Sequence, residues 1–256
     1  MPFAEINGTS LYYETHGSGF PVVLAHGGAS NHMSWFQQVV ALRDRYTVVT
    51  YDQRGFGFSE ENGDFTVSAY DDLLGLVDHL GFASVALLGQ SLGGAVVAGF
   101  TSRHPDRVKA LVLSSTPGGL VDNGRRPPAE GEPLPTYVDM MKGMISHDGF
   151  AQRHPALYFL VEEVCEMNSR VDVRRLNGTF YGRNEIGPIA DAKIPVLLIN
   201  GDDDPRGTTP VMRKIHEQLP GSELVTVPGG GHLVYLENPE PYNEQVRRFL
   251  DEHLAG

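Results

Sequence analysis

A single cysteine, Cys165, excludes an intramolecular disulfide and leaves the redox compartment open. Its neighbours Glu162, Glu163 and Glu166 disfavour a thiolate, so Cys165 does not read as a nucleophile. Positive charge is scarce as well. The chain carries 20 Lys and Arg against 32 Asp and Glu, a formal net charge of -12. Such a surface disfavours nucleic acid and anionic membranes as partners, while describing the exterior rather than any pocket. No apolar run approaches the length that spans a bilayer, and Met1 to Gly8 lacks the basic and apolar segments of a signal peptide. The expectation is a cytoplasmic protein with no membrane or nucleic-acid partner. No motif bears on its oligomeric state.

What is present fits one α/β domain of 256 residues. Short apolar runs alternate with amphipathic stretches, the pattern of strands and crossover helices in a mostly parallel sheet. Ile6 and Leu11 to Glu14, separated by Asn7-Gly8, read as an antiparallel hairpin. Buried strands are expected at Val22 to Ala25, Thr47 to Tyr51, Ser84 to Leu88 and Val108 to Leu113. Helices are expected at Trp35 to Leu42 and Ala69 to Leu80, the latter with Leu73, Leu74, Val77 and Leu80 facing the core. From Pro117 to about Asp191 no strand-like run occurs. Gly and Pro crowd Gly118 to Pro135, and Met140, Met141, Met144, Phe150, Tyr158, Phe159 and Met167 follow. This pattern predicts a helical insert at 117–191 between core segments 1–116 and 192–256. The sheet rhythm resumes at Ile194 to Ile199 and Leu224 to Val227, and Glu240 to Leu254 closes the chain as a helix.

The chemistry concentrates at Gly89-Gln90-Ser91-Leu92-Gly93, directly behind the run ending at Leu88. A strand, a very tight turn and a helix start hold such a serine proud of the backbone, and the flanking glycines avoid collisions with neighbouring elements. The helix N-terminus behind Ser91 offers unpaired N–H groups to a developing oxyanion. A serine hydroxyl needs a base. Of ten histidines, His79, His104, His216 and His253 fall in or at the ends of helical stretches. His16, His32, His147 and His154 fall in polar loops or the insert. His232 differs, because Pro228-Gly229-Gly230-Gly231 can bend it over the end of the sheet toward Ser91. Asn200-Gly201-Asp202-Asp203-Asp204-Pro205 supplies acids to orient that imidazole. Three carboxylates there also suit a solvated turn or a cation site, but no further ligands cluster at metal spacing, so no metal is expected. The order Ser91, Asp, His232 is that of a triad built on an α/β sheet.

With these residues the chain resembles the α/β-hydrolase superfamily, in its capped, cofactor-independent branch, over nearly its whole length. His26-Gly27-Gly28 resembles the oxyanion-loop motif, and Asp52-Gln53-Arg54-Gly55-Phe56-Gly57-Phe58-Ser59 the D-x-R-G-x-G-x-S loop. Gly201 to Asp204 fits G-x-x-D, and Gly231-His232 followed by Glu237-Asn238-Pro239 fits the histidine loop. The resemblance implies an α/β-hydrolase fold: a mostly parallel, twisted sheet of about eight strands, helices on both faces and a helical cap. It implies Ser91 as nucleophile, His232 as base and then acid, and Asp204 as orienting carboxylate, with Asp203 as the alternative. The backbone N–H groups of Gly28 and Leu92 would form the oxyanion hole. His26, Asp52 and Arg54 would brace loops, and Trp35 and Gln38 would pack the first helix. No cofactor is implied.

Ser91 at the elbow excludes the dehalogenase and epoxide-hydrolase branches, which use aspartate there. The leading expectation is hydrolysis of a small apolar ester or lactone through an acyl-enzyme. Meta-cleavage-product hydrolases, which break a C–C bond, carry H-G-x-G-P-G and an asparagine before the nucleophile. This chain has His26-Gly27-Gly28-Ala29-Ser30 and Gln90. A triad-bearing ligand receptor is a third reading. Gln90, Met141, Phe150 and Tyr158 are the candidate substrate-binding residues for an apolar acyl group, though cap residues also build a core of their own. Arg153, Arg170, Arg174, Arg175 and Arg183 are candidates for a substrate carboxylate, or simply a charged surface.

Overall fold

Alternation and run length decide which strands face water and which are covered on both sides. Phe3–Ile6 (β1) alternates exposed and buried residues and pairs antiparallel with Thr9–His16 (β2). Asn7 at φ +49° and Gly8 at φ +73° supply the left-handed pair that a two-residue hairpin turn requires. The computed structural model describes residues 2–28, 30–60, 67–122, 124, 136–145, 149–168, 183–204, 206 and 208–254.

Six further strands complete one sheet: Phe20–Ala25 (β3), Tyr46–Tyr51 (β4), Val85–Gln90 (β5), Val108–Ser114 (β6), Val196–Gly201 (β7) and Glu223–Val227 (β8). Their order is β1-β2-β4-β3-β5-β6-β7-β8. β2 meets β4 antiparallel, and every pairing from β4 onward is parallel. The central strands are apolar throughout because both faces are covered. Val22, Leu24, Ala86, Leu88, Leu197 and Ile199 face one core, with Trp35, Val39, Phe249 and Leu250 from Phe36–Leu42 (α1), the turn before it and the closing helix. Val23, Ala25, Leu87, Leu111 and Leu198 face the other, with Leu73, Leu76 and Val77 from Ala69–His79 (α2) and Val96, Val97 and Phe100 from Leu92–Arg103 (α3).

Between β6 and β7 the described residues form Tyr137–Lys142 (α4), Phe150–Arg153 (α5), Pro155–Glu166 (α6) and Gly187–Asp191 (α7), and no strand. His147, Arg170, Arg174, Arg175 and most of the Gly/Pro-rich stretch lie outside the described residues. Arg153 and Arg183 are exposed. The chain ends with Thr208–Gln218 (α8), Val234–Glu237 (α9) and Pro239–Leu254 (α10). No described helix is long and apolar enough to cross a membrane.

Boundaries differ from the sequence expectation where capping intervenes. Asn31 caps a 3-10 turn at His32–Trp35 through its side chain and Met33 N–H, so the α-helix starts only at Phe36. Leu76 joins Leu73 and Val77 in the core, whereas Leu74 and Leu80 are only partly buried. His16 and His32 are not loop residues. His16 sits in β2, and His32 is buried in the 3-10 turn, its Nδ1 2.8 Å from Asp52.

Arg54 braces the loop after β4 against α2. Its Nε and Nη2 donate to Asp72 at 2.9 and 2.7 Å, and both residues are buried. Arg54→Ala strands the Asp72 carboxylate and should cost about 3–5 kcal/mol in urea unfolding, whereas an Arg54→Met/Asp72→Leu pair should recover most of it.

Candidate active site

Ser91 occupies the turn between β5 and α3 at φ +50°, ψ −109°, a conformation that costs a non-glycine residue about 1–3 kcal/mol. The surroundings enforce it. A Cβ at position 93 would stand 2.0 Å from the Ala25 carbonyl oxygen, and one at position 89 would stand 2.4 Å from the Gly93 oxygen. The Ser91 carbonyl accepts from Gly94 N–H at 3.1 Å and Thr116 Oγ1 at 2.7 Å, and its N–H donates to Ser114 at 3.0 Å. With the backbone so held, the half-buried side chain faces a pocket.

His232 is buried in the loop after β8, and its Nδ1 lies 2.9 Å from Asp204 Oδ2. Asp204 accepts as well from Thr208 Oγ1 and Arg206 N–H. Burial alone would push the Asp204 carboxyl up. The hydrogen bond and charge of His232, aided by Thr208 and Arg206, outweigh it and hold the carboxyl below its usual range. Asp203 is exposed and sends its N–H to Gly230, so the imidazole meets Asp204. The glycine of G-x-x-D is needed because a Cβ at 201 would lie 1.9 Å from the Gly230 oxygen. The His232 backbone is tied on both sides: its N–H donates to Met144 at 2.8 Å, and its carbonyl accepts from Gln90 Nε2 at 3.1 Å. With Nδ1 on the carboxylate, Nε2 is the free ring nitrogen. No direct hydrogen bond joins the Ser91 and His232 side chains.

His26-Gly27-Gly28 follows β3. Among the described residues, no backbone acceptor takes the N–H of Gly28 or Leu92. His26 is buried with Nε2 accepting from Gln53 N–H at 3.0 Å, which leaves Nδ1 to donate to the Gly27 carbonyl at 2.8 Å. Asp52 accepts from His32 N–H, His32 Nδ1 and Phe58 N–H. Past α6, Asn168 donates to the Ser30 carbonyl at 3.0 Å and accepts from Gly57 N–H at 3.0 Å, and Asn31 donates to the Val164 carbonyl at 3.1 Å. Two asparagines thus join the loop after β3 to α6. Neither is legible in the sequence, because a buried asparagine leaves no periodic signal.

The pocket is lined by Gly27, Gly28, Ser91 and an apolar wall that includes Met33, Phe36, Met144, Val161, Val164 and Leu233. Three expected substrate contacts lie elsewhere. Met141 and Phe150 are buried in the core formed with α6, Phe150 against the His154 ring at 5.1 Å, and Tyr158 packs beside them. Gln90 does reach the wall, but its amide is committed to His232. The α6 residues that line the pocket are Leu160, Val161, Val164 and Cys165, one helix face. Burial first, then Glu166 and Glu162, pushes the Cys165 thiol up to about 12, so it stays protonated. Trp35 and Gln38 are buried, and Gln38 bonds the Tyr235 carbonyl and Asn243.

The family model described as the alpha/beta hydrolase family matches residues 22–245. The chain is 25% identical to the 2-hydroxy-6-oxo-6-(2'-aminophenyl)hexa-2,4-dienoic acid hydrolase of Metapseudomonas resinovorans, over 97% of this chain and 90% of that one. It superposes on the enol-lactonase from Burkholderia xenovorans LB400 with a TM-score of 0.84 at 24% identity, covering 97% and 99%. A thermophilic esterase from Thermogutta terrifontis gives 0.78 at 25% identity, covering 96% and 94%.

Burial lowers the His26 pKa to about 4 against the opposing pull of Asp52, and protonation would set Nε2–H against Gln53 N–H. Because the unfolded imidazole titrates higher, its neutral form stabilises the fold above pH ~6.5 and that contribution, about 3 kcal/mol, is lost as pH falls toward ~4. Urea unfolding should show this slope in the wild type and a flatter one in His26→Gln.

Proposed function

Because the chain belongs to the α/β-hydrolase family, we propose that it is a serine hydrolase cleaving small, uncharged, apolar esters or lactones through an acyl-enzyme on Ser91. The observation that carries this reading is a strained serine facing an apolar pocket beside a buried His232–Asp204 pair. His232 Nε2 takes the Ser91 proton as the hydroxyl attacks the acyl carbon. The oxyanion is met by the N–H groups of Gly28 and Leu92, each worth about 3 kcal/mol in the barrier. The alcohol leaves with the proton from His232, and water, activated by the same imidazole, releases the acid. Asp204, already held as a carboxylate, fixes the tautomer and stabilises the imidazolium. Residues 117–191 act as a cap, with α6 covering the acyl group. No cofactor takes part.

C–C hydrolysis, suggested by the relative named for a dienoic acid, is the second reading. The lining weighs against it: among the described residues it holds no cationic side chain for a substrate carboxylate. The likeness to a named esterase favours the ester reading.

Kinetics on p-nitrophenyl esters of increasing acyl length, run beside a β-diketone meta-cleavage analogue, decide between them. Turnover on short apolar esters should fall by at least about 10³-fold in Ser91→Ala. Cleavage of the diketone with silence on esters would move the assignment to C–C hydrolysis. Silence on both, with ligand-dependent conformational change, would make the protein a receptor.

A further inference from the structure

Three hydroxyl-bearing side chains interrupt the apolar wall: Ser30, two residues beyond Gly28; Ser34, in the 3-10 turn; and Tyr235, in α9. Tyr235 is fully buried, and among the described residues its phenolic oxygen has no well-formed hydrogen-bond partner. Its ring is held by Trp35 at 4.5 Å between centroids and by Tyr242 at 6.2 Å, which fixes where the hydroxyl points. A buried unsatisfied hydroxyl typically costs a fold free energy, and phenylalanine would fill the same space without it. Ser34 Oγ donates to the Asn31 carbonyl at 2.9 Å and keeps its lone pairs, and Ser30 lines the same pocket. Both serines lie close enough to favour the ionised phenol, yet neither closes a well-formed hydrogen bond with it. Burial prevails and pushes the phenol up to about 12, so Tyr235 stays a neutral donor.

We propose that Tyr235, with Ser30 and Ser34, forms a hydroxyl subsite that binds a neutral oxygen (ether, ketone or hydroxyl) within a few bonds of the scissile carbonyl. The distance follows from the chain: Ser30 lies two positions beyond Gly28, at most about 7 Å of backbone. An uncharged acceptor is specified because the lining offers donors and no cation among the described residues. The substrates so selected are short oxygenated acyl esters or lactones. This deepens the serine-hydrolase reading and rests on it.

The test compares kcat/KM for p-nitrophenyl pentanoate with its chain isosteres, the ethoxyacetate, 3-methoxypropionate and 4-oxopentanoate esters. Each ratio to pentanoate is taken in the wild type and in Tyr235→Phe, so that intrinsic reactivity divides out. At least one ratio should drop by about 3- to 10-fold in the variant, the range of one neutral hydrogen bond. Ser30→Ala should lower the same ratio. A purely structural role would slow all esters alike; unchanged ratios in both variants would overturn the subsite. If Tyr235→Phe does not fold, the Ser30→Ala ratio alone decides: a drop supports the subsite and an unchanged ratio overturns it. Ester hydrolysis surviving in Ser91→Ala would instead sink the underlying reading, a result the ratios cannot mimic.

Discussion

Backbone-on-backbone contact at the C-terminal ends of the parallel strands is the constraint from which the site follows. Helix α3 enters so close to β3 and β5 that Gly93 lies against the Ala25 carbonyl and Gly89 against Gly93 itself. A methyl group at either position would push the helix away, the turn would relax, and Ser91 would lose its positive φ. The same device recurs across the sheet, where Gly201 lies against Gly230 and brings the acid-bearing loop to the histidine loop. Side-chain-free contacts of this kind, at the cost of glycine entropy and a strained serine, fix the positions of Ser91 and of the His232–Asp204 pair.

Around that frame, polar loops are held by buried side chains. The loop after β3 is fixed from below by His26 and Gln53, and joined to α6 by Asn168, which bonds Ser30, and by Asn31, which bonds Val164. The His232 backbone hangs between Met144 and Gln90. Buried polar groups are costly when unpaired, so each of these bonds restricts the loop to one arrangement. Met144 and Asn168 both lie between β6 and β7, so the placement of that segment bears on His232 and on the loop after β3 together.

The sheet was legible because its central strands are short, fully apolar runs broken by glycine and proline, and because Asn7-Gly8 is a hairpin turn by composition. Ser91, His232 and a neighbouring acid were legible because their motifs sit at strand ends. Less could be read in the insert. Met141, Phe150 and Tyr158 look as suited to a pocket as Leu160, Val161 and Val164, since amphipathic helices display an apolar face without saying whether it meets a ligand or another helix. Gln90 was expected to meet substrate. A glutamine next to the nucleophile carries no mark of the carbonyl it will bond, and here that carbonyl lies 142 residues away at His232.

By itself the sequence determined the α/β class, the strand–turn–helix that strains Ser91, and the chain order of serine, acid and histidine. These rest on local backbone sterics and short-range patterns, which residue types dictate directly. Only the tertiary structure decided that Asp204 rather than Asp203 meets His232, that Cys165 and Tyr235 reach the pocket while Met141 does not, and that asparagines clamp the loop after β3. Each of those outcomes depends on which of several chemically equal side chains comes within about 3 Å of a partner far along the chain, and that is settled by packing.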